Sequence, residues 1–236
     1  QTIHSFFQIH PTSPPFLRAD SRLRLPVRGE ENQEEHIYNT FKYRKPKRDL
    51  IESIELLIID EVSMVRADML DTIDKILRAF RKNGKGKPFG GVQLMLIGDT
   101  FQLAPIEDQS WQILRQFYDG PHFFNSLVLK QNPPLFIELD KIYRQSEHDF
   151  IELLNRVRVN QVSESDLQIL NRKHRPITQE LFEENYIVLC SLNSQVSNIN
   201  NDRINEITGN EKTYTGIIED EFPRPNAITE VNLKLK

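Results

Sequence analysis

Asp60 and Glu61 follow directly on an apolar run, Leu56-Leu57-Ile58-Ile59. A strand ending this way sets two carboxylates at the mouth of a sheet, where open α/β folds bind ligands. One carboxylate there can hold Mg²⁺ through water, and the next can orient or deprotonate an attacking water. The shape then repeats, with the apolar run Val92 to Ile97 ending in Gly98-Asp99-Thr100-Phe101-Gln102. Gln102 has the reach to bond both a phosphate oxygen and that water, which makes it a candidate sensor of nucleotide state. Arg144 comes just after a third apolar run, Leu135 to Leu139. A guanidinium there would complement charge building on a γ-phosphate. The chemistry these residues share is hydrolysis of a nucleoside triphosphate. Each also has a plainer use: helix cap for the acidic pair, turn residue for Gln102, surface ion pair for Arg144.

The elements that must position them follow from periodicity. Leu56 to Ile59 and Val92 to Ile97 read as buried strands. Between them Met69, Leu70, Ile73, Ile76, Leu77 and Phe80 form one apolar stripe, predicting a helix over about 66–82 that is broken by the glycines and proline of 84–91. Strand, helix and strand with short connections make a parallel crossover unit. Leu135 to Leu139 is the expected third strand, and Ser146 to Asp149 resembles a capping box for a helix carrying Phe150, Ile151, Leu153, Leu154 and Val157. A shorter helix is expected over Glu164 to Lys173, with Ser163 as its cap and Leu167, Ile169 and Leu170 inward. Beyond Pro176 a new α/β unit begins, with a strand at Tyr186 to Cys190 and a helix through Val196, Ile199, Ile204 and Ile207. Residues 8–50 hold prolines at 11, 14, 15, 26 and 46 and read as an insertion.

Composition narrows little. The formal charge of −4 hides an uneven distribution: acidic residues dominate 180–236, while cations gather at 42–48 and 78–87. Such runs suit solvated loops as well as phosphate contacts. The single cysteine, Cys190, excludes a disulfide framework and fits a reducing, intracellular compartment. No apolar stretch approaches the roughly 20 residues of a membrane span, so no membrane partner is expected.

Four boxes occur in a telling order: Gln-Thr-Ile-His-Ser-Phe-Phe at 1–7, Ile-Ile-Asp-Glu-Val-Ser-Met at 58–64, Gly-Asp-Thr-Phe-Gln-Leu-Ala-Pro at 98–105, and Tyr-Arg-Gln at 143–145. Together they resemble the boxes of superfamily-1B DNA helicases, above all the petite-integration-frequency helicases related to RecD. The segment from Val188 through Asn193 and Asn200 to Tyr214 is similar to the start of that family's second motor domain. The resemblance implies an ATP- and Mg²⁺-dependent motor moving 5′ to 3′ on single-stranded DNA and opening forked duplex DNA, as a monomer in the nucleus or nucleoid. It puts Asp60 and Glu61 in the Walker B box, Gln102 in the γ-phosphate-reading box and Arg144 at the nucleotide. Thr2, His4 and Ser5 fall in a box that contacts the single strand through hydroxyl and imidazole groups. His4, between Ile3 and Phe6, fits a core histidine as well. Residues 8–50 take the place of a wedge subdomain.

The sequence also departs from the family. No G-x-x-x-x-G-K-[ST] phosphate loop occurs, and Ala104 stands where a proline is usual. The resemblance implies that the phosphate loop lies upstream of Gln1 and that this stretch alone does not turn over ATP. The expected architecture is a mostly parallel α/β sheet of the RecA type: a first motor domain over 1–176, then the beginning of a second over 177–236. A P-loop ATPase of another kind, or a degenerate DNA-binding module on the same fold, remain the alternatives.

Overall fold

A computed structural model of the chain describes residues 2–9, 41–84, 86–175, 187–216 and 232–236. The chain divides into two compact units, Gln1–Gln168 and Ile169–Lys236. The expected wedge over 8–50 lies mostly outside the described residues, as does Tyr186.

The first unit is organised on a parallel pair, β1 (Leu56–Ile59) and β2 (Gln93–Leu96), in the register Leu56↔Gln93 to Ile59↔Leu96. Helix α3 (Ala67–Phe80) crosses between them, preceded by α1 (Ile3–Phe7) and α2 (Lys45–Ser53). The apolar stripe expected at 66–82 is therefore real, and four of its residues, Leu70, Ile73, Ile76 and Leu77, are wholly buried. They meet the strands through Leu57, Ile59, Leu94 and Leu96. Because strand side chains alternate, Leu56, Ile58 and Met95 turn to the opposite face and stay about half exposed.

The polar residues inside α3 are each matched. Asp71 accepts from Tyr118 Oη at 3.0 Å and from the amides of Leu127 and Val128 at 3.0 and 2.9 Å. It thereby caps α5 (Leu127–Gln131), which follows the short α4 (Trp111–Leu114). Burial raises the Asp71 carboxyl against these bonds. Asp74 accepts from the Phe89 amide at 2.6 Å and pairs with Arg78 at 2.8 Å. Arg81 gathers carbonyls at the end of α2, including that of Glu52 at 2.7 Å, a side-chain cap for a helix C-terminus. Gly90, in the turn after α3, has φ +59, and a Cβ there would lie 2.5 Å from the Leu77 carbonyl oxygen.

Four expectations fail further on. Leu135 to Leu139 forms no strand; the segment is irregular, with Leu135, Phe136, Ile137 and Leu139 between 72% and 89% exposed. A strand needs a neighbour to satisfy its backbone, and none pairs with it among the described residues. Ser146 does not cap α6 (His148–Arg158): the N-cap is Glu147, without a side-chain bond. Ser163 does cap α7 (Glu164–Asn171), its Oγ accepting from the Asp166 amide at 3.2 Å. The buried residue of α7, however, is Asp166, paired with Arg156 at 2.7 Å, while Leu167 and Ile169 are exposed. In the second unit, α8 (Asn193–Glu206) precedes an antiparallel pair, β3 (Lys212–Thr215) and β4 (Asn232–Leu235). The strand expected up to Cys190 is absent over 187–190. No helix among the described residues is long and apolar enough to cross a membrane.

Candidate active site

The two strand ends stay in contact beyond the sheet. Ile97 N donates to Ile59 O at 2.9 Å, and Val62 N donates to Ile97 O at 2.9 Å. Between these bonds the chain turns through Asp60 and Glu61, both exposed. Asp60 Oδ1 accepts from the Glu61 amide at 2.9 Å, and Glu61 adopts the left-handed conformation, φ 52 and ψ 43. For a residue other than glycine that backbone costs about 1–2 kcal/mol. It opens a 3₁₀ turn, Val62–Met64, that leads into α3. Gly98 lies against this turn so closely that a Cβ would sit 2.9 Å from Val62 N. Ser63 Oγ, in the same turn, is buried without a hydrogen-bond partner among the described residues.

Past Gly98, Asp99 builds the loop that carries Gln102. Asp99 Oδ1 accepts from Phe101 N at 3.0 Å, Gln102 N donates to Asp99 O at 3.0 Å, and Gln102 Nε2 donates to Asp99 Oδ2 at 3.4 Å. Arg158, at the end of α6, adds its Nε and Nη2 to Asp99 Oδ1 at 3.1 and 3.0 Å. Burial raises the Asp99 carboxyl, but the Phe101 amide and the Arg158 guanidinium outweigh it and hold the group below its ordinary range. Nine residues on, Asp108 accepts from Arg66 Nη1 at 2.9 Å, and Arg66 is itself held by Asp68 at 2.5 Å. Arginines thus fix both ends of the loop. Neither was foreseen, because each meets a carboxylate more than 40 positions away and has no motif around it.

Asp60, Glu61 and Gln102 therefore stand on two paired strand ends, as their spacing predicts. Arg144 is exposed and bonds to no described residue. It precedes α6, whose other end, at Arg158, meets Asp99; an 11-residue helix is about 16 Å long. Thr2, His4 and Ser5 lie on or beside α1. Thr2 Oγ1 accepts from the Ser5 amide at 3.2 Å as the N-cap, Ser5 is exposed and His4 half-buried. Lys47 Nζ lies 3.7 Å from the Phe6 ring centre, so the basic start of α2 adjoins this helix.

No group of three or more His, Cys, Asp or Glu converges among the described residues. Mg²⁺ needs no such cluster, since it takes one or two carboxylates and completes its shell with water and phosphate oxygens. Asp60 and Glu61, the carboxylates expected to meet such an ion, both lie exposed just past the end of β1.

A family model for PIF1-like helicases matches residues 17–168. The chain belongs to the PIF1-like helicase family. An ATP-dependent DNA helicase PIF1 from Saccharomyces cerevisiae is 32% identical over 187 residues, 76% of this chain and 21% of the relative. A crystal structure of Pif1 helicase from Bacteroides in complex with ADP-AlF₃ and single-stranded DNA superposes with a TM-score of 0.75 at 37% identity. It covers 100% of this chain and 50% of that one. A structure of two coordinating Pif1 helicases at forked double-stranded DNA matches with a TM-score of 0.74 at 37% identity, with the same coverage. The chain thus spans about a fifth of its curated PIF1-like relative and half of the solved chains. The RecA-type α/β fold of the PIF1-like helicases is the fold of this chain.

Proposed function

We propose that this chain supplies the Asp-Glu strand end and the glutamine loop of an ATP-dependent 5′-to-3′ DNA helicase. The observation that carries the reading is the pairing of two parallel strand ends, which brings Asp60-Glu61 and Gly98–Gln102 to one edge. Asp60 would hold Mg²⁺ on the nucleotide phosphates. Glu61 would take a proton from the attacking water, and Gln102 would align that water with the γ-phosphate. Arg144 would approach the γ-phosphate as its segment orders around ATP. Thr2, His4 and Ser5 would meet the backbone of single-stranded DNA, with forked duplex DNA as the unwinding substrate. Residues 1–176 would form the first motor domain, with 8–50 as its wedge, and 177–236 would begin the second. The working unit would be a monomer in a DNA-containing intracellular compartment.

The test is ATP hydrolysis by the full-length protein with and without single-stranded DNA, beside Glu61→Gln. General-base catalysis contributes typically about 10²–10⁴-fold. The variant should lose DNA-stimulated turnover on that scale while still binding nucleotide. Turnover that ignores DNA, or survives the substitution, would instead favour a DNA-binding module that has lost its motor.

A further inference from the structure

The loop that carries Gln102 has almost no apolar anchor. Phe101, Leu103 and Ile106 are 57%, 72% and 80% exposed, and only Pro105 is buried between 99 and 108. Burial therefore does not set where Gln102 points; the polar ties on Asp99 do. A carboxylate accepts and cannot donate, so the atom of Gln102 facing Asp99 Oδ2 is the amide nitrogen. That leaves Oε1 outward, the acceptor a water proton needs. Arg158 engages both oxygens of the same carboxylate, with Nε and Nη2 3.1 and 3.0 Å from Oδ1 and Nε 3.0 Å from Oδ2, and its guanidinium also lies 5.0 Å from the Phe101 ring centre. One arginine thus grips the loop by its carboxylate and by its aromatic side chain.

We propose that Arg158 is a positioning residue for ATP hydrolysis: from the end of α6 it fixes Asp99, and through Asp99 the amide of Gln102. The inference rests on the reading of Gln102 as the residue that aligns water. Arg158 itself touches neither nucleotide nor water in this scheme. When the Gln102 amide leaves Asp99 for a γ-phosphate oxygen, Arg158 keeps the carboxylate paired, so the loop moves as one body with α6. The segment that carries Arg144 enters the same helix at its other end. A shift of the loop on nucleotide binding is then passed along α6 to that segment.

The test uses the full-length protein with saturating single-stranded DNA and compares Arg158→Ala, Arg158→Lys, Asp99→Asn, Gln102→Ala and the Arg158→Ala/Gln102→Ala double variant. A residue acting through another should lower kcat about ten-fold while leaving KM for ATP within about two-fold. Arg158→Lys, which keeps the charge and loses the planar fork, should recover part of that loss. In the Gln102→Ala background Arg158→Ala should add nothing, because both changes break one chain of contacts. Wild-type kcat in Arg158→Ala with Gln102→Ala impaired would overturn the inference and leave the Gln102 reading intact. Losses that multiply in the double variant would also overturn it, assigning Arg158 to stability alone. Wild-type turnover in Gln102→Ala would remove the reading beneath both.

Discussion

The two faces of the β1–β2 pair have opposite fates. Leu57, Ile59, Leu94 and Leu96 press on α3, and the residues they meet are wholly buried. Leu56, Ile58, Met95 and Ile97 are 45–53% exposed, and nothing among the described residues covers them. Parallel sheets are ordinarily covered on both faces. By the same alternation Asp60 follows Leu56 and Ile58 on the open side. The faces therefore divide: one is covered by a helix close in sequence, and the other carries Asp60, the proposed Mg²⁺ ligand.

Substitutions at matched isoleucines sharpen that contrast. Ile73→Ala removes a wholly buried side chain from α3 and should cost about 2–5 kcal/mol in denaturant unfolding. Ile58→Ala, on the open face, should stay within about 0.5 kcal/mol. Equal losses would break the comparison and reveal that another element of the full-length protein covers that face. Gly98→Ala tests the seam where the faces meet. Its Cβ would press on the Val62 amide, and overpacking of this kind costs about 1–3 kcal/mol. DNA-stimulated turnover should fall with it, since the turn that moves carries Glu61.

A smaller effect separates the working edge from the core by pH. Asp99 is held below the ordinary carboxylate value of 3.8, so the folded state binds fewer protons there than the unfolded state. Its contribution to stability is present above 3.8 and is lost as pH falls through the folded value. The difference in thermal midpoint between the protein and its Asp99→Asn variant should therefore narrow on going from pH 6 to pH 3. A difference that widened would contradict the Arg158 pairing. The smallest effect belongs to Ser63→Ala, which removes a buried hydroxyl that has no partner among the described residues and should be neutral or stabilise by up to about 1 kcal/mol.

How far the sequence foretold these features depended on how local their causes were. β1 and β2 were legible as short apolar runs and α3 by its periodic stripe, and the crossover joins neighbours. The placement of Asp60, Glu61 and Gln102 just past those strands was legible for the same reason. Leu135 to Leu139 has an equally apolar pattern, yet a strand is made by its partner, and composition is silent on partners. α7 was placed correctly and turned the wrong way, since its inward position went to Asp166 once Arg156 was available to neutralise it. Arg158 carries no signal of its own, because a cation in the last turn of a helix is common. Its pairing with Asp99, 59 positions earlier, exists only once the chain has folded.

The left-handed backbone at Glu61 sets two selections against each other. Glycine adopts that conformation freely, and glutamate does not. In a library varied at position 61, sorting by resistance to unfolding alone should enrich glycine. On the proposed role of Glu61 as base, sorting the full-length protein by ATP turnover in the presence of DNA should return glutamate, and the distance between the two winners would measure the ruggedness given up for that role.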